Sequence, residues 1–329
     1  MADITWGILA TGKIAKAFTR DLQVLPDARV GAVASRTQES AEEFAAAFAI
    51  PAAYADYERL AEDPSLDIVY VASPHGLHHR HARMLLEAGK PVLCEKAVTL
   101  NADQAADLVR LAQDKGVFFM EAMWMACHPL IRHLRRLLHD GEFGRPRQLV
   151  ADLGFVVDAP PTSRLLDPAL GGGALLDVGI YPLTFAHLLL GEPTALAAVA
   201  ELSDAGVDLD IAISARYADG AVAALTGSMT SLSPRSASIA TNRGRLDVPA
   251  DFHHPTHALW TDASGSTRRI DPPEPVLGRG LANEAAEVMR CLRAGETQSP
   301  LVPHEQTLSI MRQMDEIRRL VGVRYPGAS

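Results

Sequence analysis

In the first third of the chain, apolar residues come in short runs at 4–9, 29–34, 68–73, 91–94 and 117–120, each too brief for a helix. Between them, apolar positions recur with helical spacing at about 13–24, 38–48, 77–88 and 102–115. The last two helical segments run into Ala88-Gly89-Lys90 and Lys115-Gly116, which are stop signals. Strands alternating with helices predict an α/β unit, a doubly wound parallel sheet with right-handed crossovers. After about residue 123 the pattern changes. A linking helix is predicted at 128–140 and a long strand at 147–157, followed by alternating strands near 195–203, 208–217 and 220–229. Further short strands are expected near 236–248 and 257–270. This second part reads as an α+β domain on an open, largely antiparallel sheet. Its helices are too few to cover both faces, so one face is expected to be a subunit interface. The predicted division is 1–123 and 124–329.

The periodicity gives the opening stretch its meaning. Trp6–Ala15 (WGILATGKIA) is a buried strand, a tight turn and the first turn of a helix. Residues 10–15 occupy the frame of the Rossmann fingerprint G-x-G-x-x-G/A as Ala10, Thr11, Gly12, Lys13, Ile14 and Ala15. Gly12 keeps the position where a backbone must come close to a pyrophosphate at a helix N-terminus, and Ala10 departs from the pattern. The second strand ends in Ala34-Ser35-Arg36-Thr37, where NAD-binding chains carry an acid for the ribose hydroxyls. A guanidinium with hydroxyls suits a 2′-phosphate instead, so NADP(H) is expected over NAD(H). The alternative is that Arg36 is a solvated loop residue.

Composition narrows the partners. A net charge of −9 with scattered acids argues against a nucleic-acid surface. No run of about 18 uncharged apolar residues occurs, and the N-terminus lacks an export signal; neither membrane nor export is expected, and the chain reads as cytoplasmic. Cys94, Cys127 and Cys291 have no redox-motif or metal-site spacing and read as reduced, buried thiols. His75, His78, His79 and His81 crowd seven residues after Ser73, but no paired cysteine or carboxylate pattern accompanies them. No metal is expected. His75, placed just before the helix, is read as a loop residue or a nicotinamide-ribose contact.

Two features then suggest chemistry. The fourth strand delivers Cys94-Glu95-Lys96-Ala97 at its carboxyl end, where open α/β sheets place ligands, in a chain with five lysines against 26 arginines. The plain alternative is a surface Lys96 paired with Glu95. Further on, Gly171-Gly172-Gly173 precedes a helix carrying Asp177 and Tyr181 at i, i+4, on one face. Here the alternative is that Asp177 caps local N–H groups and Tyr181 is a half-buried core residue.

Lys96, Asp177 and Tyr181, with WGILATGKIA and the Ser35-Arg36 ending, resemble the Gfo/Idh/MocA oxidoreductases, and within them the branch of dimeric dihydrodiol and NADP-dependent xylose dehydrogenases. The resemblance runs through Leu93–Lys96, Met120–Trp124, Gly172–Tyr181 and Gly322–Pro326. It implies an NADP-binding domain at 1–123, a substrate-binding and oligomerisation domain at 124–329, and hydride transfer between nicotinamide and a CH–OH or C=O carbon of a small sugar, polyol or vicinal diol, in a homo-oligomer, most simply a dimer. Carried over by position, Tyr181 is the acid/base, Lys96 supplies the positive charge that favours its phenolate, and Asp177 completes the catalytic set. Cofactor contacts fall on Ala10 to Ile14, Ser35, Arg36, Ser73, His75, Glu95, Lys96 and Trp124. Substrate contacts fall on Lys96, Trp124, Phe155, Arg164, Asp177 and Tyr181. Arg164 reads equally as an ion-pair partner of Asp167 or another acid. Two departures stand out: Ala97 replaces a usual Pro, and Ala126 stands where relatives often carry Arg, with His128 or Arg164 as substitutes. Functions outside this reading are a non-catalytic nucleotide-binding sensor and a glycoside-cleaving enzyme without net redox change.

Overall fold

The computed structural model describes residues 3–327. Packing divides the chain into two compact units: one through Cys127 together with Val276–Leu308, the other His128–Pro275 together with the chain from Ser309 onward. The division expected after residue 123 therefore differs in two ways. Trp124 packs with the first unit, and so does a segment from far down the chain.

The first unit holds β1 (Ile4–Leu9), α1 (Lys13–Leu22), β2 (Ala28–Ala34), α2 (Gln38–Phe48), β3 (Ala52–Tyr54), α3 (Tyr57–Glu62), β4 (Ile68–Val71), α4 (His75–Glu87), β5 (Val92–Glu95), α5 (Ala102–Lys115), β6 (Phe119–Ala122) and the short α6 (Trp124–Cys127). Its six strands lie in the order β3-β2-β1-β4-β5-β6, every pair parallel. This is a Rossmann fold, as the alternation implied. The strands β4 and β5 are buried along their whole length, which is why they read as unbroken apolar runs. The last strand sits two residues beyond its expected place, because Val117 closes the turn after α5 through its N–H to the Ala112 carbonyl.

The second unit contains α7 (Pro129–His139), β7 (Pro146–Gly154), a 3₁₀ turn (Pro168–Leu170), a π turn (Leu175–Gly179), α8 (Ile180–Leu190), β8 (Pro193–Leu202), β9 (Asp208–Tyr217), β10 (Val222–Ser228), β11 (Ala237–Thr241), β12 (Gly244–Val248), β13 (Ala258–Asp262) and β14 (Thr267–Ile270). The eight strands run β14-β13-β12-β11-β7-β10-β9-β8, antiparallel except for the β7–β10 pair. One face is core: Leu149, Ala151, Ile211, Ile213, Ala223 and Leu225 are buried. Residues one place along, among them Val150, Ala197, Val199, Ala212, Val222 and Ala224, line up in register on the opposite face and are exposed. The α8 helix packs against β7 and β10 on the buried side. Pro168–Leu190 is apolar enough by composition to cross a membrane, yet 89% of its most apolar window is buried inside the protein, as expected of a core helix.

Two helices escape the strand-and-helix reading of the sequence: α9 (Leu281–Ala294) and α10 (His304–Val321). The first belongs to the nucleotide-binding unit. Asp21 of α1, almost fully buried, accepts bonds from the N–H groups of Arg279 (2.8 Å) and Ala282 (3.2 Å), capping α9 across some 260 residues of sequence.

Candidate functional site

In the first unit, the residues read as cofactor contacts lie at or after the carboxyl ends of β1, β2, β4, β5 and β6, and the strand order reverses between β1 and β4. Ala10 bonds through its N–H to the Ala34 carbonyl and has φ of 81°. This left-handed region favours glycine, so the turn has the fingerprint's geometry although its first glycine is gone. Gly12 is the reverse case. Its φ is −70° and a Cβ there would meet no protein atom within 4 Å. Neither the backbone nor the packing requires glycine at 12, so what it supplies is a bare backbone at the start of α1. No side chain caps that helix end, where orphan N–H groups and the dipole favour an anion. Lys13 is exposed and Ile14 half-buried on the same first turn.

At the end of β2, the buried Ser35 hydroxyl lies 3.2 Å from Thr11 Oγ1, and Arg36 is exposed beside them. The histidine run has a structural use. His75 is the first residue of α4, not one preceding it, and its Nε2 lies 3.1 Å from the Lys96 carbonyl. His78 reaches the Ala97 carbonyl (2.9 Å) and the Ser73 carbonyl (2.6 Å). The hydroxyl of Ser73 meets His81 Nδ1 at 2.9 Å. Histidines on α4 thus tie the loop after β4 to the loop carrying Lys96, whose peptide to Ala97 is cis.

Lys96 is half-buried, with buried acids beneath its loop. One oxygen of Glu95 accepts the Tyr70 hydroxyl, and the other accepts the Lys96 N–H at 3.2 Å. Glu121, inside the Met120–Trp124 stretch and given no role by the motif, accepts bonds from the Val98 N–H (3.0 Å) and the Thr307 hydroxyl (3.1 Å). Burial pushes its carboxyl up to about 7, Glu95 adding to the rise and the Lys96 ammonium opposing it. The signal was available: an acid inside a four-residue buried strand has to be paired or protonated. Trp124 is half-buried, and a Cβ on Gly280, whose φ is 111°, would lie 2.8 Å from its ring. Gly280 is a second residue the sequence gave no reason to single out. Ala126 is buried inside α6 and fills core where an Arg would project.

In the second unit, the glycine run serves the protein's own packing. A Cβ on Gly172 would strike the Leu165 carbonyl oxygen at 2.7 Å, and one on Gly173 (φ 122°) would strike Asp208 Oδ1 at 2.3 Å. Asp208 accepts the Leu175 N–H at 2.5 Å; its burial holds its carboxyl up at about 6. Tyr325, from the C-terminal motif, donates to the Gly172 carbonyl at 2.9 Å. Together these bonds fix the start of a π turn rather than an α turn. Asp177 sits in that turn and Tyr181 follows on α8, both buried. Such π segments recur at functional sites.

Arg164 Nη1 lies 3.1 Å from Asp177 Oδ1, so its acid is Asp177 and not Asp167, which caps the 3₁₀ turn through the Ala169 N–H. Phe155 follows β7 directly, half-buried. His128 caps α7, its Nδ1 accepting the Leu130 N–H, and burial lowers its pKa to about 4. Arg164, Asp177 and Tyr181 are thereby assembled on one unit, and Ser35, Ser73, His75, Glu95, Lys96 and Trp124 on the other.

Comparison with known proteins agrees with this division. Residues 4–123 match the model of the oxidoreductase family with an NAD-binding Rossmann fold, and residues 131–247 match the Gfo/Idh/MocA C-terminal domain. The chain is 35% identical to the mouse trans-1,2-dihydrobenzene-1,2-diol dehydrogenase and 33% identical to the human one, covering 98% of each chain in both cases. A 3-ketoreductase from Actinomadura kijaniata, solved with NADP and TDP-benzene, superposes with a TM-score of 0.87 at 26% identity, over 97% of this chain and 98% of that one. An aldose-aldose oxidoreductase from Caulobacter crescentus shares the fold, with a TM-score of 0.88 at 23% identity and the same coverage. The chain belongs to the Gfo/Idh/MocA family and is an NAD(P)-dependent oxidoreductase.

Two measurements check the first unit. Gly12→Ala should weaken NAD(P)H binding at least about tenfold in a fluorescence titration, yet change unfolding free energy by under about 1 kcal/mol, the scale of a cap substitution. Unchanged affinity would remove the pyrophosphate from this turn. For Glu121, the folded chain keeps a proton between about pH 4.5 and 7 that the unfolded chain releases. The stability this group contributes is therefore full below pH 4.5 and lost as pH rises through 7. Glu121→Gln should gain on the parent by about 1–3 kcal/mol from pH 5 to 8 in denaturant unfolding; parallel curves would refute the raised carboxyl.

Proposed function

We propose that this enzyme uses NADP(H) and moves hydride at the CH–OH or C=O carbon of a small sugar, polyol or vicinal diol. The observation that carries the cofactor choice is the end of β2, where Ser35, Thr11 and the exposed Arg36 stand with no carboxylate among them. An acid there would repel a 2′-phosphate, whereas a guanidinium binds it bidentately. The ketoreductase solved with NADP supports the same reading. When bound, the dinucleotide supplies the hydride acceptor or donor.

Every other step falls to this chain. In the oxidising direction the substrate hydroxyl gives its proton to the Tyr181 phenolate, the O–H electron pair forms the C=O bond, and the carbinol C–H bond breaks with its hydrogen leaving as hydride for the acceptor that a bound dinucleotide would supply. The Lys96 ammonium assists by favouring the phenolate and holding the substrate oxygen. Asp177, fixed by Arg164 and the π turn, orients a neighbouring hydroxyl. Trp124 and Phe155 offer aromatic surface for the carbon skeleton. The curated dihydrodiol dehydrogenases support a vicinal diol as one member of the substrate class.

The enzyme is also proposed to work as a cytoplasmic homodimer through the open face of the eight-stranded sheet. Val199 is 71% exposed, Val222 47% and Val150 43%, and small apolar residues stand between them.

The test of the chemistry follows reduced-nicotinamide absorbance with NADP⁺ or NAD⁺ and a panel of aldoses, polyols and vicinal diols. Tyr181→Phe should lower kcat by about 10²–10⁴-fold with NADPH affinity unchanged. Lys96→Met should shift the kcat profile to higher pH, and Arg36→Ala should erode the preference for NADP⁺ at least about tenfold. Near-normal turnover in Tyr181→Phe would sink the acid/base assignment, while product without net NADPH change would point to chemistry that returns the hydride. For the dimer, Val199→Asp with Ala224→Asp should halve the mass found by light scattering; a parent already monomeric in dilute solution would reject the interface.

A further inference from the structure

A cluster in the second unit belongs to no step above. Asp251, His253 and His254 lie on the loop between β12 and β13, and each offers a ligand atom within 4.8 Å of those of the other two. The loop is built to hold them. Asp251 has φ of 63°, and its carbonyl accepts the His254 N–H at 2.8 Å, closing a tight turn. Phe252, fully buried, anchors the turn edge-on against Phe185 of α8 with ring centroids 5.3 Å apart, and its N–H bonds to the Arg235 carbonyl at 3.0 Å. The two imidazoles stand nearly perpendicular, 4.4 Å between centroids. Arg235 Nε holds one Asp251 oxygen at 3.2 Å, the outer contact that ligating carboxylates commonly keep.

We propose that Asp251, His253 and His254 form a binding site for a borderline divalent transition metal, with Zn²⁺ the closest chemical match. Two imidazoles and a carboxylate are a common three-residue donor set for such ions, and three protein ligands leave a coordination position for water or a substrate oxygen. Thiols are absent from the set and carboxylate oxygens are in the minority, which disfavours Cu⁺ on one side and Ca²⁺ or Mg²⁺ on the other. The ring of His253 lies 5.0 Å from that of Tyr181, so a metal held here would stand beside the proposed acid/base. The site is argued from its own geometry and holds whichever substrate the enzyme turns over.

The probe is Co²⁺, whose visible d–d bands report nitrogen and oxygen coordination. Untagged protein stripped with EDTA is titrated with Co²⁺, then with Zn²⁺. One equivalent per chain should bind saturably and be displaced by Zn²⁺. Losing even an outer partner of a metal ligand costs about 10–100-fold, so Asp251→Asn, His253→Ala and His254→Ala should each raise the Co²⁺ dissociation constant at least about tenfold. Asp251→Asn keeps shape and volume, which separates loss of a ligand from loss of the loop. His79→Ala, in the histidine-rich segment of the other unit, should leave the titration unchanged. No saturable band, or uptake indifferent to all three substitutions, overturns the site.

Discussion

The buried carboxylate of Asp208 is the constraint on which the geometry of the second unit's candidate site depends. It sits where a Cβ on Gly173 would clash, takes the N–H of Leu175, and so sets the first residue of the π turn. That turn in turn sets the directions in which Asp177 and Tyr181 project. A π turn has more residues per revolution than an α-helix, so a one-residue change in where it begins would swing both side chains around the axis. Tyr325 reinforces the same point by bonding the Gly172 carbonyl, which is how a motif at the far end of the chain comes to bear on a helix start near its middle. On the sheet side, Gly227 and Gly179 meet where a Cβ on either would crowd its surroundings, bringing the turn down onto β10.

The nucleotide-binding unit is organised by a different rule. The groups at its strand ends are backbone and short side chains, steadied from behind by longer residues. Histidines of α4 fasten two loops together, Glu95 and Tyr70 pair beneath Lys96, and burial pushes the Glu121 carboxyl up to about 7 although the Lys96 ammonium opposes the rise.

Much of this architecture was legible in the chain. The alternation of runs in the first third implied the parallel sheet, and the scarcity of helices after residue 123 implied an open sheet face, which the alternating burial of β9 and β10 shows. Turn chemistry was harder to read. Ala10 looked like a defect in the fingerprint because sequence reports residue type, whereas its positive φ is imposed by neighbours. Asp177 and Tyr181 have the spacing of an ordinary helix, and the π turn is enforced by Asp208 and Tyr325, which are 31 and 148 positions beyond Asp177. The α9 helix was missed for a related reason: a strong amphipathic segment after an all-strand region does not announce that it belongs with elements 250 residues earlier. Nor does the sequence disclose that Gly280 must yield space to the Trp124 ring.

The cap that Asp21 places on α9 gives the chain an order of assembly. As the polypeptide emerges during translation, α1 is complete long before the segment it must cap, and some 150 residues that build the other unit are made in between. The nucleotide-binding unit therefore begins first yet stays incomplete until α9 is made. A truncated product ending anywhere before α9 would present the apolar sides of α1 and α6 to solvent, and would be a substrate for chaperones and proteases rather than a smaller dinucleotide-binding protein.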